Sequence, residues 1–569
     1  LRQRHIFVAP SKDAWRGRGE LRPQRLRTIK RLSPTQDRRP KIADPRSQTQ
    51  DFPGFSMRFT SLAVELIRAR PILVAWTVVL AIAGLWFLTP VVFYASPPGD
   101  VANILATGRE YTLGTLAGPP LAPWLADIAY RLSGGHLWSV YLLAQLCFIV
   151  TMGALLQFSR VLIGSQQAAL VIILTVTITA FGFSGVEFGP AVLARPLWAL
   201  ILLHYWQAVG ETRRTAWFAL SIEVGLLLLT TYSALMLIVL LAAFTLATPR
   251  GRRAVSSLEP VFALIVVFVL VLPHLIWLWR GGFALAISDV SDVAAAGTNF
   301  LRMPVISGGL LLALAGTVLL LIANSSWLDR NAGEAPKILR PSVDPFARTF
   351  VYFVAIAPAV AGSLIAALAG QERAVPGAGV LLLPVGLALV IAAGDMIYLR
   401  RQRALRTIWA GIVAAPAAFV VGLAMLQPWI GGTELGTSLP SAAIGQFFGE
   451  SFERRTGQPL PAVAGDPQIA ALVALAAPSR PHLLFDAAPH RSPWTSPQKF
   501  FASGGIVVWR ARDTAGTPPD DIKQRFPQIA PEVPRAFERV VQGRQGLLRI
   551  GWAIVRPSQS ASNGAGAQP

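Results

Sequence analysis

The residues that could do chemistry lie in short polar stretches between long apolar runs. Asp100 comes directly after Pro97, Pro98 and Gly99, where proline and glycine end the first apolar run. A carboxylate at that point can cap the next segment, VANILATG, or take a proton from an attacking hydroxyl. Further along the same stretch Pro119, Pro120 and Leu121 form a rigid turn into LAPWL. A second acid, Glu187, lies in FSGVEFGPAV. Three guanidinium groups, Arg109, Arg195 and Arg280, could bind a phosphate through paired hydrogen bonds. Arg195 sits about two turns past Glu187 in an apolar run and precedes Pro196. A charge there is costly and is usually buried and functional; the alternative is a side chain that snorkels to the headgroups. Tyr111, Tyr232 and Ser233 offer hydroxyls that could hydrogen-bond a polar ligand or simply pack at an interface.

Other polar groups read as structural. Glu223 suits an ion pair inside its helix layer, and His274, after Pro273, suits a hydrogen-bonded turn. Trp277 and Trp279 fit an interfacial aromatic belt. The six histidines have no ligand spacing, the single Cys147 allows neither an intrachain disulfide nor a cysteine metal site, and no P-loop or nucleophile elbow is present. No cofactor is expected, with a divalent cation left open as the alternative.

The elements that must position these groups are membrane helices. Hydrophobic residues make up 53% of the 569 and charged residues 14%, against roughly 25% charge in an ordinary soluble chain. A bilayer core of ~30 Å needs about 20 apolar residues per helix. Candidate spans are 71–94, 137–157, 167–188, 189–209, 216–230, 232–248, 259–279, 303–323, 349–370, 376–398 and 408–427. The stretch 216–248 has arginines at both ends and is read as two short helices meeting near Thr230–Ser233. With that split, loops on one side carry 17 Lys/Arg and loops on the other carry 5. The positive-inside rule then puts the N-terminus in the cytoplasm, eleven spans in the membrane and the C-terminus outside.

The net charge of +21 is thus a signature of membrane orientation and not of nucleic-acid binding. Residues 1–56 hold 14 Lys/Arg and 5 Asp/Glu and read as a disordered basic tail, with Met57 as the expected native start and an arm that binds anionic lipid as the rival reading. Residues 57–427 form the membrane domain, whose first outer loop spans 95–136. Residues 428–569 read as an extracytoplasmic α/β domain: strands at 461–465, 482–486, 505–512 and 548–557 alternate with helices at 439–456, 466–476 and 519–526.

The acid after the first span, the amphipathic stretch and the Pro119-Pro120-Leu121 turn resemble the first periplasmic loop of GT-C membrane glycosyltransferases. The likeness is to glycosyltransferase family 39, the dolichyl-phosphate-mannose-protein mannosyltransferase group, with the bacterial transferases that add aminoarabinose or galacturonic acid to lipid A. RPLWALILLHYW (195–206), GLLLLTTYSALMLIVLL (225–241) and LPHLIWLWRGGF (272–283) resemble later segments of that family, so the likeness covers about 90–285. Val101 stands at the family's second leading acid, Ala117–Gly118 at its Asp-His, and Thr231 at its lysine. Glu187 serves as the acid of the next outer loop, although Ala191 lies nearer the family's register.

The resemblance implies a mainly helical GT-C fold in a bacterial inner membrane. The donor would be a sugar on a polyprenyl phosphate, and the acceptor lipopolysaccharide or another envelope glycan, lipid or protein. Asp100, with Glu187, would carry the catalysis, inverting the anomeric centre by direct displacement. Arg109, Tyr111, Arg195, Tyr232 and Arg280 would meet the donor phosphate and substrate. Two other readings remain at this stage: a flippase for lipid-linked glycans, and an inactive scaffold.

Overall fold

The computed structural model describes residues 59–115, 118–182, 185–282, 301–325, 337–430, 435–485, 492–541 and 546–557, all within one compact unit. The basic tail lies outside them, as does Ala117 of the first loop.

The chain begins with α1 (Phe59–Ala69) and the first long apolar helix, α2 (Pro71–Phe93), started by a proline in its first turn. Two short helices, α3 (Val101–Gly108) and α4 (Leu121–Leu132), make up the first loop. Then follow α5 (Trp138–Ile163), α6 (Ser165–Thr175), α7 (Thr179–Gly182) and α8 (Pro190–Tyr205), the last continued by a π stretch, Trp206–Gly210. Next come α9 (Arg214–Leu228), α10 (Ala234–Ala247), α11 (Pro249–Val255) and α12 (Glu259–Trp277), which ends in a second π stretch, Leu278–Gly282. The rest of the bundle is α13 (Arg302–Ala313), α14 (Ala315–Ala323), β1 (Lys337–Leu339), α15 (Pro345–Leu368), α16 (Ala378–Leu381), α17 (Val385–Ala392), β2 (Met396–Tyr398) and α18 (Gln402–Ile430).

The protein is a multi-pass membrane helix bundle. Among the described residues five helices are long and apolar enough to cross a bilayer, or up to seven if each bent pair counts as one span. The stretch 216–248 is two helices, α9 and α10, as the charge pattern requires. Other expected spans are interrupted. Residues 167–188 split into α6 and α7, 376–398 into α16, α17 and β2, and 303–323 bends by 50° between α13 and α14. Hydropathy is blind to such breaks, because broken helices stay apolar where neighbours satisfy their backbone. The β1–β2 antiparallel pair at the end of the bundle away from the first loop was not anticipated.

The C-terminal region contains α19 (Ser441–Thr456), β3 (Ala462–Gly465), α20 (Pro467–Ala476), β4 (His482–Leu483), α21 (Pro497–Ser503), β5 (Gly505–Arg510), α22 (Asp520–Arg525), β6 (Arg535–Phe537) and β7 (Leu548–Val555). The sheet order is β4-β3-β5-β7-β6; β4, β3 and β5 run parallel and β7 and β6 antiparallel. Each strand inferred from apolar runs is present, whereas β6 and α21 were not anticipated. At the β3–α20 turn Asp466 accepts hydrogen bonds from the amides of Gln468 (3.1 Å) and Ile469 (3.0 Å), which caps α20. This region does not hang free. One hydrophobic core runs from the bundle into it, and α20 packs on α3 of the first loop.

Candidate active site

The site starts where α2 stops. The Tyr94 amide still bonds to the Pro90 carbonyl, and the chain then leaves the helix. The amides of Ala95 and Ser96 both donate to the Thr437 carbonyl, at 2.9 and 3.1 Å. The Ser441 hydroxyl donates to the Ala95 carbonyl at 3.0 Å. The end of α2 is therefore pinned by the segment that leads into the α/β region. Pro97 and Pro98 are buried, and Gly99 takes φ +52°, a left-handed turn that glycine adopts without strain.

Asp100 follows at the N-cap of α3, exposed, and does not cap it. The capping reading of this residue therefore fails. Its only described side-chain contact is Asn103 Nδ2 at 3.4 Å, which leaves most of the carboxylate's acceptor capacity open. α3 is held rigidly instead by burial: Val101 and Leu105 are at most 1% exposed.

Glu187 arrives from the α7–α8 turn, and its carboxylate lies directly over Gly99. A Cβ there would sit 2.6 Å from Glu187 Oε2. Two acids 87 positions apart in sequence thus flank one glycine, Asp100 beside it in the chain and Glu187 above it in space.

Arg195 lies one turn into α8 on the other side of the same turn. A Cβ at Gly185 would be 3.3 Å from one of its terminal nitrogens. Its guanidinium lies 5.9 Å from the centre of the Phe181 ring, and its Nε is buried with no hydrogen-bond partner among the described residues. It faces a cavity of about 460 Å³ whose walls include Thr179, Glu372 and Arg373.

Two further sequence-derived candidates, Arg109 and Tyr111, lie at the far end of the loop. Tyr111 donates to Asp127 Oδ2 at 3.0 Å. Arg131 Nε reaches the same oxygen at 2.6 Å, and Arg480 of the α/β region reaches Oδ1 at 2.8 Å. Glu110 pairs with His482 Nδ1 at 2.7 Å. Arg109 borders this cluster; burial lowers its guanidinium pKa, Glu110 opposes the shift, and Arg480 and Arg131 add to it. Asp127 was missed in sequence because Arg480, the partner that ties it to the α/β region, is 353 residues away.

Pro119 and Pro120 are buried and lead into α4, whose first amide, Leu121, donates to the Leu229 carbonyl at 3.0 Å. Tyr232, His274 and Trp277 form a ring stack with centroid separations of 5.8 and 5.7 Å. His274 Nδ1 lies 2.8 Å from the Leu113 carbonyl and must donate to it, so Nε2 accepts from the Tyr232 hydroxyl at 3.3 Å. That arrangement fits a structural histidine. Arg280 is exposed in the π stretch after α12. Glu223 does form an intrahelix-layer pair, with His204 at 2.7 Å. Among the described residues no cluster of His, Cys, Asp and Glu could hold a metal.

Comparison with known proteins places this geometry. The sequence profile of the family described as dolichyl-phosphate-mannose-protein mannosyltransferase matches residues 117–277. Crystal structures of ArnT from Cupriavidus metallidurans superpose on 85% of this chain and 99% of theirs at 14% identity. The TM-score is 0.58 for the form bound to undecaprenyl phosphate and 0.53 for the apo form.

The chain has the GT-C glycosyltransferase fold.

Together with the matched segment, which includes the Pro119-Pro120 turn, this fold indicates a membrane glycosyltransferase. The oligosaccharyltransferase of Archaeoglobus fulgidus is more distantly similar, at 12% identity over 78% of this chain and 68% of its own, with a TM-score of 0.41. No curated protein matches the chain by sequence.

Proposed function

We propose that this GT-C glycosyltransferase moves a sugar from a polyprenyl-phosphate carrier to an envelope acceptor at the extracytoplasmic face of a bacterial inner membrane, with inversion and with Asp100 as the general base. The acceptor hydroxyl gives its proton to Asp100 while its oxygen bonds to the anomeric carbon. The bond from that carbon to the lipid phosphate breaks, and the lipid phosphate leaves. Glu187, across Gly99, orients the acceptor or the developing positive charge on the sugar. Basic and hydroxyl groups for the donor and substrate come from Arg109, Tyr111, Arg195, Tyr232 and Arg280. Of these, Arg195 is the buried cation nearest the turn that carries Glu187.

The observation that carries this reading is the exposed, uncapped Asp100 with Glu187 held over its neighbouring glycine. The undecaprenyl phosphate bound by the structurally similar ArnT supports a polyprenyl-phosphate carrier. Lipopolysaccharide, another glycan, a lipid and a protein are all chemically suitable acceptors, since each offers a nucleophilic oxygen at that face. The N-terminus would be cytoplasmic and the α/β region periplasmic. The test is Asp100→Asn in folded, membrane-inserted protein, assayed with a polyprenyl-phosphate sugar: transfer should fall at least a hundredfold, and unchanged transfer would refute Asp100 as the base.

A further inference from the structure

The end of the bundle where α2 begins, away from the first loop, contains a cavity that the proposed transfer reaction does not use. It is a groove of about 410 Å³ between α1, α2, α6, α14, α17 and α18, within the range of roughly 300–1,000 Å³ typical of ligand pockets. One face of α18 lines it with Gln402, Leu405, Arg406 and Trp409, which lie three and four positions apart. The charged or amide side chains in its walls are Asn324, Gln402 and Arg406, and all three lie where α14 stops and α18 starts. The groove is therefore apolar over most of its wall and polar at one end.

Hydrogen bonds hold these walls in shape. Asn324 Nδ2 donates to the Tyr398 carbonyl at 2.8 Å, and its Oδ1 accepts from the Arg400 amide at 2.8 Å. Gln166 Nε2 donates to the Arg68 carbonyl at 3.1 Å, and Trp409 Nε1 to the Ile173 carbonyl at 2.9 Å. The segments that line the groove, 59–78, 165–174, 315–324 and 385–409, carry Arg68, Arg70, Arg400, Arg401, Arg403 and Arg406. Their acids are Glu65 and Asp395, which pair with Arg68 and Arg340. Among the described residues no carboxylate pairs with Arg70, Arg400, Arg401, Arg403 or Arg406, and Arg401 Nη2 is buried with no hydrogen-bond partner. α2 and α18 both begin here, so the positive ends of their dipoles add to the arginines. The positive-inside rule explains arginines at this end of the bundle. It does not explain an apolar groove that opens among them. A basic pocket between membrane helices suits an anionic lipid headgroup.

We propose that this groove binds an anionic phospholipid of the leaflet opposite the first loop, with an acyl chain between α2 and α18 and the headgroup phosphate on Arg406. The inference goes beyond the proposed reaction and needs none of its residues. The lipid fastens α18, whose apolar window is only 6% buried, to the rest of the bundle.

The test is native mass spectrometry of the full chain in detergent, titrated separately with phosphatidylglycerol, phosphatidylethanolamine of the same acyl chains, and glycerol phosphate. Wild type should bind phosphatidylglycerol at least fivefold more tightly than phosphatidylethanolamine and at least tenfold more tightly than glycerol phosphate. Arg406→Gln should weaken phosphatidylglycerol binding roughly fivefold, the worth of one basic side chain at an anionic surface, and leave phosphatidylethanolamine binding within twofold. Ala393→Trp, at an exposed position that lines the groove, should weaken binding of both lipids severalfold in protein of unchanged melting temperature. Equal binding of the two lipids by wild type, or phosphatidylglycerol binding within twofold of wild type in both variants, would overturn the proposal. So would glycerol phosphate binding as tightly as the lipid, or a dimer that Ala393→Trp dissociates, since a second copy would then occupy the groove. Asp100→Asn should bind phosphatidylglycerol as wild type does while losing transfer, so this site and the catalytic reading fail separately.

Discussion

The two ends of the first loop hold acids in opposite states. At one end Asp100 is exposed, with a single weak contact, and Glu187 leans over the adjacent Gly99. At the other, Asp127 is completely buried and accepts from Tyr111, Arg131 and Arg480. The same loop thus spends one carboxylate on architecture and leaves another unspent. A buried acid with three donors is fixed in geometry, its oxygens already taken. An exposed acid on a rigid helix end keeps its oxygens open to a substrate, and α3 supplies the rigidity because α20 and the Asp127 cluster hold it from the other side.

The contrast can be broken most sharply at Asp100. Asp100→Asn should lower transfer by roughly 10²–10⁴-fold, the usual worth of a general base, with no change in unfolding temperature. Comparable losses in both activity and stability would mean that the residue is structural after all. Asp127→Ala should show the reverse balance. It leaves Arg480 and Tyr111 without their acceptor and should cost about 3–5 kcal/mol of stability, read by thermal or denaturant unfolding, with transfer falling only as far as the loop loosens.

Gly99→Ala probes the meeting of the two acids. An alanine at φ +52° is strained by about 1–2 kcal/mol, and its Cβ would press on the Glu187 carboxylate. Transfer should drop more than stability, and a variant with normal kinetics would show that Glu187 need not sit there. The smallest effect is expected at Tyr232→Phe, which removes the hydrogen bond to His274 Nε2. Its cost should be about 0.5–1.5 kcal/mol, visible in the melting temperature, and a hundredfold loss of transfer would promote Tyr232 to a group that touches substrate.

Much of this was legible in the sequence because it is local. Long apolar runs identified the bundle, arginines around 216–248 identified the break between α9 and α10, and alternating short runs identified β3, β4, β5 and β7. The Pro-Pro-Gly-Asp turn marked Asp100 for the same reason: proline and glycine announce where a helix must stop. Helix breaks inside 167–188, 303–323 and 376–398 were hidden, since the residues that repair a broken helix lie on other helices and leave its own hydropathy unchanged.

By itself, then, the sequence determined which segments are apolar, where they are punctuated and which acid stands at the first stop; each depends on neighbours within about one turn of chain. The tertiary structure alone decided which charges meet. It placed Glu187 on Gly99, tied Asp127 to Arg480 and left Arg195 facing a cavity without a carboxylate partner among the described residues. Electrostatic pairing depends on distance in space and on the exclusion of water, and neither can be read from spacing along the chain.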